Sequence, residues 1–503
     1  MTDVSLFLVP PASPYTIAAA VPYLAGHLKA QGRGVSVVDL NAELIQHNTP
    51  LPIIRRLTSE IRDEDDIAKV ADAERSLDYL CAAALGNPSP SPDATWVEVE
   101  RRATAIPRHA IDLMVIAVVR QMEEFPGLIG ISCLSQDQLA VALRVARDVK
   151  SLDTTATIIV GGPMLTTCSK YFTDDPPLDA FDYIVANNGA TAFEELLRSL
   201  EQRESLSLDD VVHRGQTEVS VPVKSIGLPI GRPAPPLFPP DLLAGLLTPR
   251  PVLPVFSAQG CSYGECNFCS SQRSVTPYRP TLMRWIVEEM DRLHAGSGAS
   301  DFDIVDNNFD PKRMGALVRA LGGGQRSYRW KATARFYEEF DELFLERAVD
   351  AGCGLLSLGL ESYDDQALAA MQKGYSTDTI DRVLEAARRA QLPIHLYAII
   401  GHPSERESGR RATLEYLRDQ QACFVSVYLQ VYDANLSSGV FVSSIAEDLS
   451  SLAASVAELT DELSSYFPAF DLHGDAGGLL VRPHGYPRSE ELFFLSLTDG
   501  AGR

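Results

Sequence analysis

Short apolar runs alternate with helix-length stretches along most of this chain, in two series separated by a proline-rich stretch. Residues 4–9 (VSLFLV) and 35–39 (VSVVD) have the length and β-branched content of buried strands, and residues 18–30 between them carry a helical period. Residues 53–126 mix charged and apolar positions at helix-like spacing, broken near 86–93, which predicts a helical insertion. The alternation resumes with strands at 127–132 (GLIGIS), 156–160 and 183–186 and helices at 136–150 and 192–200. Strands joined by crossover helices make an α/β, doubly wound (Rossmann-like) parallel sheet, predicted over 1–200, with ligand at the carboxyl ends of its strands. Residues 201–252, with PAPPLFPP inside, predict a linker partly in polyproline conformation. A second series then supplies strands at 253–258, 302–306, 329–334, 355–360, 394–400 and 424–430, with helices between them such as 283–294 and 377–390. Six such strands predict a partial (β/α)6 barrel over 253–430. Residues 431–503 show no clear period and are assigned to a small C-terminal cap.

Charge and cysteine usage narrow the chemistry. The 503 residues carry a formal charge of −23, from 44 basic and 67 acidic side chains. A nucleic-acid partner is not expected, because phosphate binding needs a basic face. No window approaches 18 uninterrupted apolar residues, so neither a transmembrane helix nor a membrane partner is expected. The start, MTDVSLFLVPPASP, lacks a basic leader region and reads as a first strand, which predicts a cytoplasmic protein. Five of the eight cysteines (Cys81, Cys133, Cys168, Cys353 and Cys423) are dispersed and read as small core residues rather than a disulfide framework.

The other three stand together in Gly260–Ser271, GCSYGECNFCSS, as Cys261, Cys266 and Cys269. A structural zinc ion takes four ligands, and no further His or Cys lies within 20 residues on either side. Three thiolates can hold three irons of a [4Fe–4S] cluster and leave the fourth iron open. The triplet also follows the first strand of the second series, on the face where such folds place chemistry. Zinc and a stray triplet are the alternatives.

These residues resemble the radical S-adenosylmethionine enzymes, whose signature is Cys-x3-Cys-x-aromatic-Cys after the first barrel strand. Phe268 fills the aromatic slot. Four residues rather than three separate Cys261 from Cys266, an excess assigned to the Gly264–Glu265 loop. The resemblance runs on through about 170 residues. Tyr278-Arg279-Pro280 precedes a helix, as in many members. Asp306, Asn307 and Asn308 end the second strand, where the family receives the amino group of the methionine moiety, although Asp and Asn also favour helix caps. Arg335 ends the third strand, where relatives contact the methionine carboxylate or the ribose. Glu361 and Ser362 end the fourth, in a Gly-Leu-Glu-Ser string, and Gly401 follows the fifth in IIGHPSE, near adenine in the family. The resemblance implies a cluster on the three cysteines and S-adenosylmethionine on the open iron. It further implies reductive cleavage to a 5′-deoxyadenosyl radical, with a flavodoxin- or ferredoxin-type electron donor.

The first domain resembles the cobalamin-binding domain of one subgroup of that family, whose marks are Asp-x-His-x-x-Gly, Ser-x-Leu and Gly-Gly. Ser132-Cys133-Leu134 and Gly161-Gly162 fit the last two. The first is absent: strand one runs into Val9-Pro10-Pro11-Ala12 and strand two ends at Asp39-Leu40-Asn41, with no histidine. A near miss, Asp471-Leu472-His473-Gly474, falls in the cap and reads as a loop, and Ala186-Asn187-Asn188-Gly189 stands where relatives carry Gly-Glu-Gly. The resemblance implies base-off cobalamin with no histidine ligand, the alternative being a domain that only packs on the barrel. The activity it implies is cobalamin-dependent methylation of an unactivated carbon in a small-molecule natural product or a peptide. The alternatives are a radical rearrangement, ring formation or cross-link without methyl transfer, and a non-catalytic iron–sulfur electron carrier or sensor. The cap and residues 428–432 (YLQVY) are expected to shape the substrate pocket.

Overall fold

Apolar runs with no polar alternation need cover on both faces, and in the computed structural model they receive it from helices. The structure describes residues 2–11, 16–48, 96–162, 164–165, 176–185, 189–202, 211–213, 233–248, 250–269, 277–322, 326–432, 470–474, 478–483 and 494. The chain divides into two units, with the break between Leu247 and Thr248.

In the first unit the strands are β1 (Val4–Leu8), β2 (Val35–Asp39), β3 (Leu128–Ser132), β4 (Ile158–Gly161), β5 (Tyr183–Val185) and β6 (Val211–His213), in the order β2-β1-β3-β4-β5-β6. The first five are parallel. Its helices are α1 (Ala20–Ala30), α2 (Leu40–Asn48), α3 (Trp96–Ala105), α4 (Arg108–Glu124), α5 (Gln136–Leu152), α6 (Gly189–Gln202) and α7 (Pro240–Ala244). The order reverses at β1, which lies between β2 and β3, so their carboxyl ends flank a crevice. Register aligns Asp39, Leu8, Ser132 and Gly161 in one transverse row at those ends. Val4, Leu6, Leu28, Phe193 and Leu196 anchor the core under one face.

Two features of the stretch read as a linker differ from that reading. Val211–His213 pairs antiparallel with β5 as an edge strand, too short to carry a legible period. Leu242 and Leu246, in and after α7, pack into the core of the first unit, and Pro235 lies so close to α1 that a Cβ on Gly26 would stand 2.0 Å from its carbonyl oxygen. Of the helical insertion, α3 and α4 are seen, and residues 53–95 lie outside the described ones. Cys133 and Cys353 are buried, Cys423 is half-buried, and Cys81 and Cys168 lie outside the described residues.

The second unit is built on an open eight-stranded sheet. Its parallel strands are β7 (Val252–Val255), β10 (Asp301–Ile304), β11 (Arg329–Ala334), β12 (Cys353–Glu361), β13 (Ile394–Ile400) and β14 (Ser426–Val431). A two-stranded ribbon, β8 (Ala258–Gln259) with β9 (Arg279–Pro280), brackets the cysteine loop. The helices are α8 (Met283–Ser297), α9 (Pro311–Leu321), α10 (Glu342–Asp350), α11 (Asp365–Ala370), α12 (Thr377–Arg389) and α13 (Glu407–Asp419). All nine residues of β12 are buried, as a central strand covered on both faces requires. The Asp471–Gly474 segment, expected as a loop, is instead strand β15 (Phe470–Gly474), paired antiparallel with β16 (Gly478–Pro483), which adds to β14. Most of the remaining cap, and Ala186–Asn188, lie outside the described residues. Among the described residues no helix is long and apolar enough to cross a membrane.

Candidate functional site

The cysteine loop leaves the short ribbon at Gly260 (φ +72°) and turns again at Gly264 (φ +65°), where the extra residue falls. Both positions use backbone angles that glycine adopts without strain. The Gly264 N–H points at Cys261 Sγ at 3.3 Å, and the Cys269 N–H donates to the Cys266 carbonyl at 3.3 Å. Burial pushes the Cys266 thiol up to about 11, a cost that ligation of its thiolate by iron would remove. Among the described residues no three His, Cys, Asp or Glu side chains converge as on a single metal ion. Cluster thiolates bind separate irons and need no common point, so three half-buried cysteines on one loop fit a cluster.

Polar residues at the ends of β10 to β13 surround this loop, but not all as the sequence suggests. Asp306 is buried, and one of its oxygens accepts from the Ser257 and Ala258 amides at 2.7 and 2.9 Å. Its other oxygen receives the Ser257 hydroxyl. Its carboxylate therefore fastens the end of β7, just before the cysteine loop. Asn308 is a second brace: its Oδ1 accepts from the Arg335 amide at 3.0 Å and its Nδ2 donates to Ser262 Oγ at 2.7 Å. Asn307 is exposed. Ser362 is buried, 3.3 Å from Thr413 of α13. Gly401 (φ +83°) has open space where a Cβ would stand, and its N–H donates to Glu405 Oε2 at 2.6 Å.

Arg335 and Glu361 carry the charge. The Arg335 guanidinium lies 3.9 Å from the Tyr263 ring centroid, 4.9 Å from that of Tyr337 and 5.3 Å from that of Tyr375. Such faces attract a cation. Glu361 takes a left-handed backbone (φ +59°) at a register shift in β12, and a Cβ on Gly359 would lie 2.4 Å from its Oε1. A bulge that re-aims a strained side chain is common beside functional sites. The carboxylate accepts from Lys373 Nζ at 2.8 Å, in a buried pair. Phe268, between the second and third cysteines, lies beneath that ammonium at 5.6 Å and packs edge-on to His402 with centroids 6.3 Å apart.

Lys373, Tyr263, Tyr375 and His402 are the side chains that sequence reasoning missed. A signal existed for the lysine: in Met371-Gln372-Lys373-Gly374-Tyr375 a charge sits beside a glycine and an aromatic just past the fourth strand.

In the first unit, Leu8, Val9, Thr16, Asp39, Ser132, Leu134 and Gln138 line a small cleft over the switch point. Leu134 is 45% exposed at its mouth. Gln138 ties two loops together, accepting from the Leu134 amide at 2.6 Å and donating to the Pro11 carbonyl at 2.9 Å. Asp39 accepts from the Asn41 amide at 2.9 Å, and burial pushes its carboxyl up to about 6. Ser132 stands on the wall of this cleft, at the place where such sheets bind ligand, and no histidine is among its described lining residues. The glycine pair serves the fold as well. Gly162 (φ +113°) lies so close to the Ser132–Cys133 backbone that a Cβ would stand 2.5 Å from the Cys133 carbonyl oxygen, and a Cβ on Gly161 would stand 3.2 Å from the Val185 carbonyl oxygen.

Comparison with known proteins follows this division. A family model described as the Radical SAM superfamily matches residues 255–417, and one described as the B12 binding domain matches 107–197. An uncharacterized methyltransferase of Pyrococcus horikoshii is 24% identical over 336 residues, 65% of this chain and 71% of that protein. The bacteriochlorophyllide d C-12(1)-methyltransferase of Chlorobaculum tepidum is 25% identical over 205 residues, 38% of this chain and 44% of that one. Among solved structures, TsrM of Kitasatospora setae, a radical S-adenosylmethionine methyltransferase with cobalamin and a [4Fe–4S] cluster bound, aligns with a TM-score of 0.55 at 15% identity. The alignment covers 99% of this chain and 85% of TsrM. OxsB, a cobalamin-dependent S-adenosylmethionine radical enzyme, aligns with a TM-score of 0.55 at 13% identity over 83% of this chain and 52% of its own. These structural likenesses show a common fold.

Proposed function

We propose, from the premise that this chain belongs to the radical S-adenosylmethionine enzymes that carry a cobalamin-binding domain, that it methylates an unactivated carbon of a small-molecule or peptide substrate. The observation that carries this reading is the gathering of Cys261, Cys266, Cys269, Phe268, Arg335 and Glu361 at strand carboxyl ends, in a chain whose other unit has the Ser132 and Gly161 row at its switch point. When bound, the cluster would supply the electron that splits one S-adenosylmethionine into methionine and a 5′-deoxyadenosyl radical, which takes a hydrogen from the substrate carbon, and cobalamin would carry to that carbon a methyl group drawn from a second S-adenosylmethionine.

The chain's own residues hold and shield these groups. The three cysteines ligate three irons. Asp306 and Asn308 fix the loop that bears them, and the exposed Asn307, at the same strand end, meets the methionine amino group. Arg335, caged by tyrosines, faces the anionic or ribose part of the nucleotide. Glu361 reaches it with Lys373 as its counter-charge, and Gly401 leaves room for the adenine. Ser132 would donate to the corrinoid tail and Leu134 would cover it, with no histidine among the described residues of the cleft.

The test is product analysis under anaerobic conditions. Reconstituted protein given titanium(III) citrate and S-adenosylmethionine should release 5′-deoxyadenosine slowly, even without substrate. The cob(II)alamin form should show no axial nitrogen superhyperfine splitting by electron paramagnetic resonance. Absence of 5′-deoxyadenosine from cluster-loaded protein would sink the radical reading, and nitrogen splitting would sink the base-off assignment.

A further inference from the structure

We propose that the turn Ala370–Lys373 clamps the cysteine loop and that Lys373, as a positioning residue paired with Glu361, sets the electrical environment of the cluster held there. Four consecutive carbonyls after α11 meet the loop or its braces. Ala370 O accepts from Asn267 Nδ2 at 2.7 Å, Met371 O from the Asn267 amide at 3.3 Å, and Gln372 O from the Tyr263 hydroxyl at 2.7 Å. Lys373 O accepts from Arg335 Nη2. The carbonyls that a helix leaves unpaired at its end are thus spent on the segment between Cys261 and Cys269 and on the arginine stacked against it. Gly374 closes the turn with φ +66°, and a Cβ there would lie 2.6 Å from the Tyr263 oxygen, so the turn and the loop are fitted to each other.

The same turn carries a charge inward. Lys373 is 5% exposed, and its Nζ stands 2.8 Å from Glu361 Oε1, 5.6 Å from the Phe268 ring centroid and 5.5 Å from that of Tyr375. Burial, the largest influence, would lower its pKa, but Glu361, Tyr375 and Cys266 together raise it and keep the group an ammonium. A surface lysine would not be held this way, and a core position would not normally hold a lysine at all. A cluster gains one negative charge when it is reduced. A cation fixed beside it in a low-dielectric interior favours the reduced state, and an anion opposes it. Phe268 directly precedes Cys269 and stands one residue beyond Cys266, so the ammonium lies over the ring that separates these two ligands in the loop.

The inference rests on the cluster reading, and potentiometry separates the two. Anaerobically reconstituted wild type, Lys373→Met and Glu361→Gln are titrated with titanium(III) citrate, without S-adenosylmethionine, and the one-electron reduced cluster is followed by electron paramagnetic resonance. Iron content is measured on each sample. Lys373→Met, which removes the cation, should shift the midpoint to more negative potential, and Glu361→Gln, which removes the anion, should shift it to less negative potential. Lys373→Arg should keep the wild-type midpoint. If Lys373→Met fails to load iron, the upward shift of Glu361→Gln decides alone. Unchanged midpoints in iron-replete variants, or shifts of the same sign in both, would overturn the inference and leave the cluster reading intact. Wild type that takes up no iron would defeat the cluster reading itself.

Discussion

Arg335 stacked on three tyrosine rings is a charge held in one place before any ligand arrives. Its removal should cost ligand affinity and little else. Arg335→Ala is expected to weaken binding of S-adenosylhomocysteine about tenfold, near 1.4 kcal/mol, with iron content unchanged; calorimetric titration checks the affinity and metal analysis the iron. Equal affinity in the variant would place the nucleotide elsewhere. Asp39 gives a pH signature. Its carboxyl ionises near 6 in the folded protein and at the ordinary 3.8 when unfolded, so between these values the folded state binds the extra proton. Stability of the first unit should therefore fall as pH rises from about 4 to 6 and level off above, by about 1–2 kcal/mol after allowance for partial exposure. Asp39→Asn should flatten that part of the profile in chemical denaturation. Residue types and spacing placed the cysteines after the first strand of the second series and Arg335 and Glu361 at later strand ends, where the structure has them. Asp306 was legible as a strand-end position but not as a brace: its bonds to Ser257 and Ala258 join residues far apart in the chain. The pairing of Glu361 with Lys373 was hidden for a different reason, since it depends on a bulge and a left-handed backbone that no local rule announces.

The parallel strands were readable because each is a continuous apolar run flanked by helix-length segments, and β12, buried throughout, shows why. The three-residue β6 and the β15–β16 pair gave no such pattern, because an edge strand is defined by its partner more than by its composition. Turns with a fitted glycine are the elements most open to test. Gly162 combines φ +113° with the Cys133 carbonyl oxygen 2.5 Å from where a Cβ would stand. Gly162→Ala should destabilise the first unit by about 1–3 kcal/mol and loosen the Ser132–Leu134 loop. Thermal melting of the variant checks the first effect, and weaker hydroxocobalamin retention the second. A melt like that of wild type would show that the turn relaxes without strain.

Across the whole molecule, two α/β units each offer the carboxyl ends of a parallel sheet to a ligand, and each has its motifs on those ends. Their order along the chain was legible because the proline-rich stretch interrupts one alternation and a second begins. The packing of Leu242 and Leu246 into the first core was not legible, because a linker and a wrapped segment have similar composition. The central claim is that one chain carries two separable metal centres, iron on the three cysteines and cobalt on the Ser132 side. Metal analysis of gel-filtered protein tests it most directly, after anaerobic reconstitution with iron, sulfide and hydroxocobalamin. Wild type should carry about four irons and one cobalt per chain, and the variant with Cys261, Cys266 and Cys269 all changed to Ala should lose the iron and keep the cobalt. Full iron retention in that variant, or wild type eluting without cobalt, would contradict the account.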